Sequence, residues 1–244
     1  MLRRFALRDF KGHRDTQLEL GRFTMLVGDN ASGKTSVLDA LALQASFGRR
    51  PIDVLQGNWS VDDLRRRGSN GPIVLATEGG TAALAWRVMF SLQQDPLTVP
   101  SGRNPVPFDF RGAPGVPAHG ASHGTLIVVA LLAILHGEHR PNLILLDDFD
   151  HALHPRAQME LVRMLKRLLA LEAFTDVQVV ATTHSPYMLD ELEPSEIQVF
   201  ALRDDGTVAS RRLSEHPEAA KTRGALAAGQ LWSLDPERDW VLRG

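Results

Sequence analysis

Apolar residues along this chain gather into short unbroken runs separated by glycine, proline and charge. Phe23-Thr24-Met25-Leu26-Val27, Asn142–Asp147 and Val177–Thr182 are such runs, and each predicts a strand buried on both faces. Elsewhere the period changes. Behind the first run, Val37, Leu38 and Leu41 sit at helical spacing among good helix formers, so a helix is expected to about residue 47. Over Pro155–Phe174, Leu161, Met164, Leu165, Leu168 and Leu171 follow the helical period behind a proline at the first helical position, which predicts an amphipathic helix. Gly124–His136 is apolar on all sides and reads as a further helix.

Weaker patterns fill the intervals. Residues 2–8 and 16–20 predict two strands about a Lys11-Gly12-His13 turn. Within 49–70, a loop, only Val61–Arg67 predicts a short helix. Ile73–Thr77 and Ala82–Leu92 predict a hairpin across Glu78-Gly79-Gly80, and Ile197–Leu202 with Arg211–Leu213 another around Asp204-Asp205-Gly206. From Pro96 to Gly120 the chain is too dense in proline and glycine for helix or long strand, so 95–121 is expected to be a long loop or insert. Strands alternating with helices predict an α/β protein. The expected fold is a mixed, mostly parallel sheet flanked by helices, with a small antiparallel β subdomain. Residues 1–214 are expected to form the head and 215–244 a tail of Ala-rich helix carrying Trp232, Pro236 and Trp240. There is no internal repeat and no heptad array.

Composition narrows the class without naming a function. The 43% hydrophobic and 23% charged content is that of an ordinary globular protein, and its 244 residues allow a sizeable core. The longest apolar run, Leu126–Leu135, is about half of what a bilayer crossing needs, so no membrane insertion is expected. The N-terminus lacks the apolar centre of a secretory leader, and the absence of cysteine excludes disulfides and thiolate metal sites. Both point to the cytoplasm. A net charge of −2 argues against a general polyanion binder, and the basic clusters Arg3, Arg4, Arg8, Lys11, Arg14 and Arg65-Arg66-Arg67 read first as solvated surface and second as a nucleic-acid contact.

The chemistry is concentrated in Gly28-Asp29-Asn30-Ala31-Ser32-Gly33-Lys34-Thr35, with Ser36 opening the helix behind it. This is the strand–loop–helix phosphate cradle of nucleoside triphosphatases. Glycines let successive N–H groups converge on phosphate oxygens, and the helix N-terminus adds partial positive charge. Lys34 would reach the β- and γ-phosphates, and the Thr35 hydroxyl would meet Mg²⁺. The apolar strand Leu143–Leu146 ends in Asp147-Asp148. At the carboxyl end of a parallel strand, Asp147 would hold Mg²⁺ and Asp148 would orient or deprotonate the attacking water. His184 follows the third buried run, where a γ-phosphate contact and a plain turn histidine both fit.

These motifs, in this order, resemble ABC-type P-loop ATPases of the RecF/SMC/Rad50-like branch, and within it the small bacterial AAA-family ATPases related to the OLD ATPase domain. Four stretches carry the likeness: Leu7–Gly12, Leu26–Thr35, Leu145–Pro155 and Thr182–Pro186. The resemblance implies an ATP- and Mg²⁺-dependent hydrolase working as an ATP-dependent homodimer, two copies sandwiching two nucleotides. It implies a partner protein or a DNA complex switched by that cycle, in genome maintenance or phage defence. The signature element that closes on the other copy's γ-phosphate would be Ser122-His123-Gly124-Thr125, with Ser122 and Gly124 as nucleotide contacts. The chain departs from the family at Asp148, where Glu is usual, so hydrolysis is expected to be slow. Gln93 and Gln94 are the nearest candidates for a Q-loop. A nucleotide-gated clamp with little hydrolysis, and the nucleotide-binding subunit of a transporter, are the alternatives.

Overall fold

The structure is a computed structural model that describes residues 1–47, 61–79, 85–89, 107–110, 113–117, 123–137, 140–151, 153–222 and 225–243. In chain order its strands are β1 (Leu2–Phe10), β2 (His13–Glu19), β3 (Phe23–Gly28), β4 (Val74–Gly79), β5 (Ala85–Met89), β6 (Pro107–Phe110), β7 (Ala113–Pro117), β8 (Leu143–Asp147), β9 (Gln178–Thr182), β10 (Ile197–Leu202) and β11 (Val208–Arg212). The helices that bear on the site are α1 (Lys34–Phe47), α2 (His123–His136), α3 (Pro155–Ala170), α4 (Pro186–Leu189), α5 (Ala228–Trp232) and α6 (Glu237–Val241).

The central sheet runs β11-β10-β3-β9-β8-β5. All its pairings are parallel except β10 with β11. Alternate residues of each central strand feed opposite faces. Met25, Val27, Ile144, Leu146, Val179 and Ala181 enter one core, with α2, α3 and the C-terminal helices. Leu26, Leu143, Leu145, Val180 and Phe200 enter the other, with α1 and the three-stranded sheet β2-β1-β4. Burial on both sides is why β3, β8 and β9 read as unbroken apolar runs. The C-terminal segment is part of this packing: Ala228, Leu231, Trp240 and Val241 lie in the first core.

Helix α3 starts where the sequence says. Pro155 occupies its first turn and the His154 Nδ1 accepts from the Arg156 N–H. It stops earlier than the apolar period suggests. Leu171 is extended and exposed, and a short turn covers Glu172–Phe174. The Arg22 guanidinium donates to the carbonyls of Leu169 and Phe174, which satisfies the helix end.

Three further expectations need correction. Ile73–Thr77 and Ala82–Leu92 do not form a hairpin: β4 lies antiparallel to β1, and β5 lies parallel to β8. β1 and β8 each offer a row of backbone groups to an incoming strand, and closing a longer loop costs little extra. Residues 61–67 are helical only to Leu64, because Lys11 N–H bonds the Leu64 carbonyl and Arg66 N–H bonds that of Asp9, drawing the chain alongside β1. β11 begins at Val208 rather than Arg211, since Val208 pairs with Leu202. In the Pro/Gly-rich stretch, β6 and β7 pair antiparallel. The rest of 95–121, like Gln93 and Gln94, lies outside the described residues.

Candidate nucleotide site

Because β3, β9 and β8 are neighbours in parallel, their carboxyl ends deliver the three expected motifs side by side. They border one cleft of about 400 Å³, lined by Asn30, Ala31, Ser32, Gly33, Lys34, Thr35, Ser36, Asp148 and His184. The loop's backbone conformation is the one an anion nest requires. Gly28, Ala31 and Gly33 have φ of 138°, 63° and 97°, turning the peptide planes between strand and helix. Gly28 has no alternative: a Cβ there would stand 2.2 Å from the Phe200 carbonyl oxygen of β10. Ser32 is buried and its Oγ has no partner among the described residues, so a donor is left over in the cradle.

Lys34 is 6% exposed. Its ammonium bonds the Gly28 and Asp29 carbonyls at 2.7 and 2.8 Å, folded back on its own loop. Burial lowers its pKa, and the charges of Asp148, Asp29, Glu237 and Asp147 oppose that fall. A buried cation at the N-terminus of α1 is a site for a polyanion.

At the floor, Thr35 Oγ1 and Asp147 Oδ1 are 3.2 Å apart. Asp147 Oδ1 also accepts from Thr182 Oγ1 at 2.8 Å, and the same hydroxyl accepts from the Asp148 N–H at 2.8 Å. Thr182 therefore fixes both acids. A hydroxyl and a carboxylate oxygen in contact form a hard-oxygen pair that suits Mg²⁺. Asp148 is exposed and left-handed (φ 48°), which lifts its carboxylate to the cleft rim. His184 is exposed opposite, and its N–H bonds Asp150 Oδ1 at 3.2 Å.

Residues 28–36, 147, 148 and 184 are thus brought together. Gly124 is not. It opens α2 and lines a separate apolar groove with Leu153, Leu161 and Met164. Ser122 lies outside the described residues. Arg65 and Arg66 are less free than a solvated surface implies. Arg66 pairs with Asp9 at 2.8 Å, Arg65 bonds the Gly71 carbonyl, and with Arg67 and Lys11 they line a second recess of about 560 Å³.

Three residues escaped sequence reasoning. Thr182 looked like the end of a strand. Gln158 lies on the buried face of α3, donates to the Asp150 and Leu153 carbonyls and accepts from Ser185 Oγ, stitching the turn after Asp148 to the His184 loop. A polar residue in line with Leu161, Leu165 and Leu169 was the available signal. The third is His13, fully buried between Thr16 Oγ1 (3.0 Å) and the Gly33 carbonyl (3.1 Å).

Burial pushes the His13 imidazole down from 6.5 to about 4; Lys11 adds to the fall and the Gly33 bond opposes it. Above pH 6.5 it is neutral folded or unfolded, and between 6.5 and 4 only the unfolded chain takes the proton. Stability is therefore full above that window, falls by up to about 3 kcal/mol across it, and loses nothing further from this group below it. Urea midpoints across the window, compared with those of His13→Gln, isolate the contribution; equal slopes for the two proteins would contradict it.

Comparison with known proteins divides along the same motifs. A family described as "AAA ATPase domain" matches residues 1–61, which hold the phosphate loop. One described as "AAA domain, putative AbiEii toxin, Type IV TA system" matches residues 91–190, which hold Asp147, Asp148 and His184. The Septu protein PtuA of Bacillus thuringiensis is 34% identical over 71 residues, 29% of this chain and 17% of that protein's length. Among solved structures, an SMC head bound to the C-winged helix domain of ScpA aligns with a TM-score of 0.58 at 15% identity, over 88% of this chain and 99% of that one. An ATP-binding cassette of an ABC transporter, in its ADP conformation, aligns at 0.53 and 11% identity, over 91% and 98%. At such identities the structural likeness establishes the fold. No helix among the described residues is long and apolar enough to cross a membrane.

Proposed function

We propose, from the premise that this chain is a P-loop protein of the AAA/ABC-like ATPase type, that it binds ATP with Mg²⁺ in the 28–36 cleft. On that nucleotide it pairs with a second copy and hydrolyses it slowly to switch a protein partner. The observation that carries this proposal is the contact of Thr35 Oγ1 with Asp147 Oδ1 on the floor of a cleft rimmed by the phosphate loop, Asp148 and His184.

The residues divide the work. The loop N–H groups and Lys34 hold the phosphates, the ammonium exchanging two carbonyls for phosphate oxygens. Thr35 and Asp147 would hold Mg²⁺, which supplies charge neutralisation at the β- and γ-phosphates. Asp148 accepts the proton of a water attacking the γ-phosphorus as the bond to the bridging oxygen breaks. His184 donates to a γ-phosphate oxygen. Ser122 and Gly124 of a second copy would approach the same phosphate. The SMC head bound to the C-winged helix domain of ScpA supports a protein as the switched partner. A nucleotide-gated clamp is the second reading, favoured by Asp148 alone. Its short carboxylate sits at an exposed, left-handed rim position.

Light scattering with simultaneous phosphate release tests the cycle. Mass is expected to double with ATP and Mg²⁺, not with ADP, and to return as phosphate appears; a clamp doubles and stays doubled. A mass unchanged by ATP would refute the pairing. Adding duplex DNA to parallel samples reads whether DNA shifts either curve.

A further inference from the structure

The small antiparallel sheet reaches the phosphate loop through His13. This residue begins β2 and is wholly buried, yet it lies outside the linings of both the phosphate cleft and the basic recess. A carbonyl can only accept, so the Nε2 atom 3.1 Å from Gly33 O carries the hydrogen. In a neutral ring Nδ1 then accepts from the Thr16 hydroxyl, 3.0 Å away. Both ring nitrogens are used, and neither is free for a ligand.

The carbonyl that His13 holds has a particular place. Gly33 C=O and Lys34 N–H belong to one planar peptide and point in opposite directions. Fixing the carbonyl toward the sheet therefore aims the Lys34 amide away from it, toward the mouth of the loop. The same carbonyl accepts the first bond of α1, from Val37 N–H at 3.2 Å. Space tells the same story. A Cβ at Gly33 would meet His13 Nε2 at 2.8 Å and Val208 Cγ2 at 2.9 Å, so the ring fills the floor beneath the loop. His13 packs edge-on against Phe200, whose own carbonyl crowds Gly28 at the other end of the loop. Its turn is pinned in turn: Lys11 pairs with Asp39 of α1 at 2.5 Å, and the Gly12 carbonyl accepts from Val208 N–H at 3.0 Å.

We infer that His13 is the positioning residue of the phosphate loop, its Nε2–H holding the Gly33 carbonyl so that the Lys34 amide faces the nucleotide's phosphates. This rests on the proposal that the 28–36 cleft binds a nucleoside triphosphate. His13 touches no ligand and acts through the peptide it orients.

The test uses the full chain, a fluorescent ATP analogue with Mg²⁺, and thermal melting of every variant. His13→Leu is expected to keep the fold and to bind about tenfold more weakly, the cost of one hydrogen bond. His13→Gln and His13→Asn separate positioning from mere packing. A Gln carboxamide N–H reaches the place of Nε2, whereas Asn stops near Nδ1. Binding is expected to recover to within about threefold of the parent in His13→Gln and to stay low in His13→Asn at matched melting temperatures. Affinities that track melting temperature across Gln and Asn, or parental affinity in a folded His13→Leu, would overturn the assignment alone. Absence of binding by the parent protein overturns the nucleotide proposal as well, so the two failures are told apart.

Discussion

Replacing Lys34 by alanine is expected to abolish nucleotide binding and phosphate release together. The side chain is the one lysine or arginine among the described residues lining the cleft, and it is buried against two backbone carbonyls of its own loop. Its lowered pKa shows that desolvation outweighs the acids around it. A triphosphate therefore meets a buried ammonium whose partners are two neutral carbonyls of its own loop, which anionic phosphate oxygens can replace. Removing one preorganised charge of this kind costs on the order of 10²- to 10³-fold. Lys34→Arg should rescue little, because a planar guanidinium does not fit where a compact ammonium bonds two carbonyls of one turn. Titration with a fluorescent nucleotide and a phosphate-release assay read both losses. Turnover by the parent protein with an unchanged rate in Lys34→Ala would refute the cleft as the site.

Asp148→Asn is expected to separate binding from chemistry. Asparagine is the substitution that leaves the backbone undisturbed, since Asn tolerates the left-handed φ of 48° as readily as Asp. The N–H to Thr182 Oγ1 survives, and with it the placement of Asp147. Only the proton acceptor is lost. Turnover should fall by about 10²- to 10⁴-fold with affinity within a few-fold of the parent, and ATP-linked pairs should persist. If turnover is unaffected, Asp148 is not the base. Asp148→Glu is instructive beside it: the longer carboxylate gains reach, and the left-handed backbone costs about 1–2 kcal/mol. Faster turnover in that variant identifies reach as the limit on the natural protein.

Much of this arrangement is legible in the residues taken alone. The phosphate loop could be read because its chemistry is local. A strand, a run of small residues with glycine at the turns, and a helix start must be adjacent in the chain to make a nest. The paired acids and His184 were legible for a related reason, each closing an apolar run. What misled was pairing over distance. Glu78-Gly79-Gly80 looks like a hairpin turn, yet its two flanks joined different sheets. Leu171 keeps the apolar period of α3 and stands in solvent, because Arg22 from another element closes that helix.

The sequence by itself determined the class of fold, the strand–loop–helix cradle and the identity of the two acids, since local spacing and backbone freedom dictate all three. Only the tertiary structure decided that Thr182 bonds Asp147 and the Asp148 amide, that Gln158 ties the two loops, and that His13 braces Gly33 from another sheet. Those contacts join residues far apart in the chain. Their hydrogen bonds depend on which strands lie side by side and on water being excluded between them, and neither is written in the order of the residues.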